Sequence, residues 1–234
     1  MDRLQFENWI KSQFEKVSDE QLANFDLYYH LLTAKNNDIN LLSRATGLDI
    51  YEKHFSDSLL FSLPESLRGK TIIDLGSGAG FPGIPLKIMY PDNYIYLLEP
   101  TRKRADFLKV VIAKLDLKKI EVINERAEDF VASSREMFDG LVARAVAPLN
   151  ILLELASPLV KVGGLVLAYK GERADQELIE ADMALKVLNL KVTHQLTSHL
   201  PTLQHTRNLL IFEKEAPTPI RYPRLYAAIK IRPL

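Results

Sequence analysis

The sequence predicts an α/β protein: a doubly wound, mostly parallel sheet preceded by a helical N-terminal segment. Three observations carry this. Apolar residues recur at helical intervals through residues 1–66, and from Lys70 onward short apolar runs alternate with helix-like patterns. The first of those runs passes into glycines spaced two apart and then into two prolines, the pattern of a strand, a tight turn and a helix N-terminus. A chain of 234 residues has room for one moderate α/β domain with an appendage, and for a core that needs no staples. It has no cysteine, which excludes disulfides, thiolate metal sites and a cysteine nucleophile. Its five histidines lack metal-ligand spacing, so no metal is expected. Met1-Asp2-Arg3-Leu4 has neither a basic leader nor an uninterrupted apolar stretch, and no later segment approaches transmembrane length. A soluble cytoplasmic protein with no membrane partner is expected.

The formal net charge is zero, which argues against a generic polyanion-binding module. Split at Ser66, however, the chain has 6 Lys+Arg against 11 Asp+Glu on one side and 24 against 19 on the other. Such an asymmetry permits a nucleic-acid-facing second part and is also common on ordinary solvated surfaces.

In chain order, Leu4, Phe6, Trp9, Ile10, Phe14 and Val17 recur at helical spacing. Leu22, Phe25, Tyr28, Tyr29, Leu31 and Leu32 do so again after the turn signal Ser18-Asp19. These aromatics read as core. Asn36-Asn37-Asp38 is expected to break the second helix. His54, Asp57 and Ser58 lie within one helical turn, so His54 and Asp57 share a face. A hydrolytic triad is excluded because one helical turn cannot put the acid behind the histidine and the serine in front. A surface or packing cluster stays open.

Strand one is read at Thr71 to Leu75. The loop after it runs Asp74-Leu75-Gly76-Ser77-Gly78-Ala79-Gly80-Phe81-Pro82-Gly83-Ile84-Pro85. A dinucleotide fingerprint also fits as Gly78, Gly80 and Gly83, but Pro82 and Pro85 lack amide hydrogens and suit only a first helical turn. The helix therefore starts near Pro82, and the better register is Asp74-x-Gly76-x-Gly78-x-Gly80. A carboxylate before the first glycine repels a pyrophosphate and suits a cationic ligand such as an amino group. Strand two, Tyr94 to Leu98, ends in Glu99, 23 residues past Gly76, where an acid holds ribose hydroxyls. The alternative role for Glu99 is that of an acid at the N-terminus of the helix from Thr101.

Arg102, Lys103 and Arg104 open that helix and oppose its dipole, which suggests phosphate contacts or a solvated face. Ile120 to Ile123 is strand three. Phe138 to Val146 is strand four, and its Arg144 falls beyond the carboxyl ends of the strands near the switch point, at the expected reaction centre. Structural pairing of Arg144 with an internal acid is the alternative. Leu165 to Tyr169 is strand five, preceded by a Gly163-Gly164 turn and closed by Lys170. Arg173 to Leu188 reads as one helix, and two strands follow near Leu190 to Leu196 and Asn208 to Glu213. The tail after Glu215 carries Arg221, Arg224, Lys230 and Arg232 without an acid, so it either lies along RNA or the cleft rim or packs on the domain.

The loop resembles motif I of the S-adenosylmethionine-dependent methyltransferases, and Gly-Ser-Gly-Ala-Gly-Phe-Pro-Gly-Ile-Pro is similar to one branch of them, the RsmG (GidB) family. His54-Phe55-Ser56-Asp57-Ser58-Leu59 and Asn40-Leu41-Leu42-Ser43 also resemble that family's segments, with Leu42 in place of a threonine and Lys35 in place of the usual tryptophan. The resemblance implies a Rossmann-like, seven-stranded sheet with the last strand antiparallel, and S-adenosyl-L-methionine as cofactor. It also implies methylation of guanine N7 at guanine-527 in the 530 loop of 16S ribosomal RNA, with that RNA or the small subunit as partner. The domains expected are a helical segment over 1–66, a cofactor-binding domain over 67–215 and a basic tail over 216–234; a monomer is expected.

Cofactor binding is expected at Asp74, Gly76, Gly78, Gly80, Phe81, Glu99 and Arg144. The resemblance adds Ala127 and Glu128 beside the adenine and moves His54 towards the cleft, with Lys170 and Arg102 on the substrate side. Arg144 is the positioning residue: N7 carries a lone pair and no proton, so attack needs alignment rather than a general base. A methyltransferase for another RNA or a small molecule, a noncatalytic RNA-binding module and an NAD-dependent enzyme are the competing readings. Asp74 and Pro82 disfavour the last.

Overall fold

The computed structural model describes residues 1–39, 41–42 and 49–234. Its centre is a seven-stranded sheet in the order β3-β2-β1-β4-β5-β7-β6. The strands are β1 (Thr71–Leu75), β2 (Tyr94–Leu98), β3 (Ile120–Ile123), β4 (Phe138–Arg144), β5 (Val160–Lys170), β6 (Leu190–His199) and β7 (Thr206–Lys214). β1 pairs in parallel with β2 and β4, and β7 runs antiparallel to both β5 and β6. The order reverses between β1 and β4, so the crevice at their carboxyl ends is the place where such a sheet takes a ligand.

Period-two burial divides the core between the faces. Ile72, Ile95, Leu97, Val142, Leu167 and Leu209 enter one apolar cluster, and their neighbours Ile73, Leu98, Leu141, Val166 and Leu210 enter the other. The first face is covered by α4 (Gly83–Met89) and α5 (Arg102–Lys114), with α1 (Arg3–Gln13) and α2 (Asp19–Ile39) packed outside them. Phe6, Phe25, Tyr28 and Phe55 belong to that same cluster, so the N-terminal helices share the sheet's core rather than building one of their own. The second face carries α6 (Ala127–Ser134), α7 (Leu149–Ala156), α8 (Ala174–Glu180), α9 (Asp182–Leu188) and α10 (Tyr226–Ile231).

Several expected boundaries move. α2 runs through Asn36-Asn37-Asp38 to Ile39, because burial of its Phe25, Tyr28 and Leu32 face outweighs weak local propensity. The Asn40 segment lies outside the described residues, apart from Leu41 and Leu42. β4 ends at Arg144, since Ala145 takes a left-handed φ of 58°. Gly163-Gly164 is not a turn before β5 but lies inside it, at a register shift where Gly163 has φ 79°. The expected helix over 173–188 is two, α8 and α9, hinged at the fully buried Ala181. The basic tail packs on the domain. Tyr222 and Ile229 are buried against the second face, and Arg224 pairs with Glu154, which has no exposed surface on the mostly apolar α7.

Between α2 and β1 the chain makes a π-helical turn, Tyr51–Ser56, that runs into the short α3 (Asp57–Leu59). Such turns occur frequently at functional sites. Glu52, fully buried on this turn, accepts the N–H groups of Thr202 at 2.6 Å and Leu203 at 2.7 Å, fastening it to the β6–β7 connection. That anchorage fixes the position of the next residues, Lys53, His54 and Asp57.

Candidate active site

The loop after β1 is built from within. Asp74 is fully buried; its Oδ2 accepts the Gly83 N–H at 2.9 Å, while Oδ1 is buried without a hydrogen-bond partner among the described residues. Burial pushes the Asp74 carboxyl up to about 7, against which the Gly83 N–H, the Ser77 hydroxyl and the nearby Arg144 charge act less strongly. Tyr28 donates to the Ala79 carbonyl at 2.5 Å, so a side chain of α2 braces the loop.

The glycines divide by what a Cβ would meet. At Gly80 it would fall 2.5 Å from the Tyr28 hydroxyl, and at Gly76 2.9 Å from the Val146 side chain, so internal packing requires these two. At Gly78 the nearest atom is the Gly76 carbonyl oxygen at 3.9 Å. Of these three glycines only Gly78 would place a Cβ at ordinary van der Waals distance from its neighbours.

Glu99 is 3 % exposed and takes the expected place at the N-terminus of the helix from Thr101, while also bracing the glycine loop. Oε2 accepts the Gly78 N–H at 2.9 Å and Oε1 accepts the Thr101 N–H at 2.8 Å, leaving each oxygen a second lone pair. Ala127 and Glu128 open α6 across from these groups. Together with Gly76, Pro100 and Val146 they line a cavity of about 180 Å³.

Beside it, over β4 and β5, lies a wider cleft of about 610 Å³ lined by His54, Asp57, Arg144, Lys170 and Arg207 among others. Arg144 is held by three hydrogen bonds. Its guanidinium donates to Asp57 Oδ2 at 2.7 Å, to the Lys53 carbonyl at 3.0 Å and to His54 Nδ1 at 3.0 Å, and it lies 5.1 Å from the centroid of the Phe81 ring. The two readings of Arg144 therefore coexist: it faces the cleft and is paired with an internal acid. Asp57 is shared, since its Oδ1 accepts from Arg207 Nε at 2.8 Å.

The His54 Nδ1 lone pair receives the Arg144 donor, which places the proton on Nε2. Burial, then the charges of Arg144 and Lys53, push the imidazole down to about 3, so it stays neutral at physiological pH. Nε2 is buried without a partner among the described residues.

Three expected residues are placed otherwise. Phe81 is 5 % exposed; its ring stacks between Tyr28 and His54, with centroids 5.6 Å and 4.8 Å away, so its side chain supports the loop from beneath. Lys170 lines the cleft but gives its ammonium to Glu177 at 2.7 Å and to the Ala147 carbonyl at 2.8 Å, bracing the loop after β4. Arg102 points to solvent with 89 % of its side chain exposed, outside both cavities. Sequence reading missed Arg207. The signal was available: a base at the start of an apolar strand that runs antiparallel, and so at the sheet edge where Arg144 closes β4.

A family model, rRNA small subunit methyltransferase G, matches residues 21–209. The chain belongs to this family. A relative from Desulfitobacterium hafniense (strain Y51), "Ribosomal RNA small subunit methyltransferase G", is 42% identical over 211 residues, covering 89% of this chain and 87% of that protein. Among solved structures, a predicted O-methyltransferase, Atu636 from Agrobacterium tumefaciens, superposes with a TM-score of 0.56 at 22% identity over 69% of this chain and 82% of its own. M. jannaschii TYW2 in complex with AdoMet superposes with a TM-score of 0.52 at 17% identity over 64% of this chain and 71% of its own. These likenesses establish the seven-stranded methyltransferase fold for this member of the rRNA small subunit methyltransferase G family. No helix among its described residues is long and apolar enough to cross a membrane.

Its loop also fits the cofactor that the fold family implies. A buried carboxylate oxygen without a donor, an open approach at Gly78 and a small, largely apolar cavity beside Glu99 match an ammonium, a main-chain contact and a purine respectively. Replacing Gly78 with valine tests this placement. The Cβ sits at ordinary van der Waals distance from its neighbours, so the fold should survive with only the left-handed backbone cost of about 1–2 kcal/mol. Circular dichroism should be retained while calorimetric binding of S-adenosylhomocysteine disappears; undiminished binding would put the ligand elsewhere.

Proposed function

We propose that this chain transfers the methyl group of S-adenosyl-L-methionine to N7 of a guanine, guanine-527 in the 530 loop of small-subunit ribosomal RNA. When bound, the cofactor supplies an electrophilic methyl on a sulfonium. N7 gives its lone pair to the methyl carbon while the C–S pair returns to sulfur, so no proton has to leave the base. Asp74 and Glu99 hold the donor's ammonium and ribose. Gly78 lets it lie against the main chain, and Ala127 and Glu128 flank its adenine.

In the neighbouring cleft Arg144, held by Asp57, Lys53 and His54, offers its remaining in-plane N–H groups to guanine O6, a phosphate or the cofactor carboxylate. Contact with N7 itself would block the nucleophile. Arg207, fixed by the other oxygen of Asp57, adds a second cation on the RNA side.

The observation that carries this reading is the state of His54, an imidazole lining the cleft. Its Nδ1 is occupied by Arg144 and burial holds it neutral down to about pH 3, so it has no free lone pair with which to take a proton. Asp57 and Glu177 are engaged by Arg144, Arg207 and Lys170. A cleft arranged in this way aligns its substrate and does not deprotonate it.

The single-turnover rate at saturating cofactor should therefore be flat from about pH 6 to 9. The measurement is rapid-quench methyl transfer to a 16S fragment, followed by mass mapping of the modified nucleotide. A rate that climbs tenfold per pH unit would show that a group must lose its proton before transfer. The N7 assignment would then have to be given up.

A further inference from the structure

We infer that the C-terminal segment completes the cofactor site, with Tyr226 forming the outer wall of the adenine pocket. This rests on the cofactor reading proposed above. The cavity beside Glu99 has one side built from the glycine loop and strand ends, through Gly76 and Pro100, and another from α6, through Ala127 and Glu128. The rest of its lining comes from Val146, from Leu155 of α7 and from Tyr226, the first residue of α10. A small, mostly apolar cavity lined by a tyrosine suits a purine, because every base presents a π-face to stack on an aromatic ring.

The segment is anchored for this position. Glu154 carries a charge with no exposed surface, and its Oε1 accepts both the backbone N–H and the Nε of Arg224, at 3.0 and 2.8 Å. Its Oε2 accepts from Arg224 at 2.5 Å. From the other side, Arg135 donates to the Thr218 carbonyl at 3.3 Å and to the Tyr222 carbonyl. Burying a lone carboxylate in an apolar helix is costly unless it is paired and hydrogen-bonded. Here the pair fixes the backbone two residues before Tyr226. The same stretch of α7 supplies Glu154 as the anchor and Leu155 as the opposite part of the wall, so the tail and the pocket are registered against each other.

The α6 N-terminus faces the pocket without a side-chain cap on Arg126.

The test is calorimetric binding of S-adenosylhomocysteine and of methylthioadenosine to the full chain and to Tyr226→Ala and Tyr226→Phe, with steady-state methylation of a 16S fragment. Tyr226→Ala should weaken both ligands about tenfold, since a base–aromatic stack is worth about 1–3 kcal/mol. It should raise KM for S-adenosylmethionine by a similar factor. Tyr226→Phe keeps the ring and should bind as the parent does, which a requirement for the hydroxyl or a general loosening of the tail would not allow. Unchanged binding in Tyr226→Ala, with the parent still binding both ligands, overturns the role of Tyr226 and leaves the cofactor reading intact. If the parent protein binds neither ligand, the cofactor reading falls and the inference falls with it. If Tyr226→Ala unfolds, Tyr226→Leu, which fills the space without a π-face, replaces it and should show the same tenfold loss.

Discussion

Arg144→Ala should lower single-turnover methyl transfer by about a hundredfold or more, a loss of the size expected when reacting groups are displaced by about 1 Å. The fold should suffer less. Removing one partner of a buried ion pair ordinarily strands the other charge at a cost of about 3–5 kcal/mol. Here Asp57 keeps Arg207 as a partner at 2.8 Å, so the loss should stay below that range. Arg144→Lys should rescue poorly. A guanidinium meets Asp57, the Lys53 carbonyl and His54 Nδ1 from one rigid plane and still lies over Phe81, whereas an ammonium is a compact point charge on a flexible stem. The check is rapid-quench transfer at saturating cofactor beside urea unfolding of the same preparations. Wild-type rates in both variants would make Arg144 a structural residue only.

The network around Arg144 also shows where sequence reading stops. β1, β2 and β3 were legible to the residue, because buried parallel strands read as apolar runs and turn residues bound each of them. The glycine loop and Glu99 were legible because their spacing follows from strand and turn geometry alone. The pairing of His54 and Asp57 with Arg144, about 90 positions away, was not. It depends on a π-helical turn held by Glu52 against the β6–β7 connection, and no local periodicity announces such a turn.

The roles of the glycines were hidden for a similar reason. Gly76, Gly78 and Gly80 look alike in a motif, yet two are fixed by Val146 and Tyr28, side chains from distant elements, and the third leaves room for a Cβ. The tail was ambiguous in sequence because its bases invite an RNA role. Arg224 is instead consumed by Glu154, a residue whose burial cannot be read from its own helix.

The same loop yields a second large effect, one in which stability and binding move in opposite directions. Asp74→Asn should make the ligand-free protein more stable at pH 8 while abolishing cofactor binding. In the unfolded chain this carboxyl ionises near 3.8, whereas in the fold burial holds its proton until about pH 7. Between those values the folded state binds more protons than the unfolded state, so stability falls as pH rises through the window and the loss is complete above about 7. At about 1.4 kcal/mol per unit of displacement, the charged form costs the empty protein a few kcal/mol. Asparagine resembles the protonated acid. It keeps an oxygen for the Gly83 N–H and never ionises, so its advantage over aspartate should be largest at pH 8 and fade by pH 5. The cost makes sense if the charge is there for a cation: an ammonium beside the unpartnered Oδ1 needs the ionised carboxylate. Cofactor affinity in the parent should then rise by about tenfold per unit as pH climbs towards 7 and level off beyond it. Urea unfolding of the ligand-free proteins at pH 5 and pH 8, with S-adenosylhomocysteine calorimetry across the same range, reads both halves. An Asp74→Asn protein that is less stable than its parent at pH 8 and still binds the ligand would mean that Asp74 is an ionised structural acid with no part in holding the cofactor.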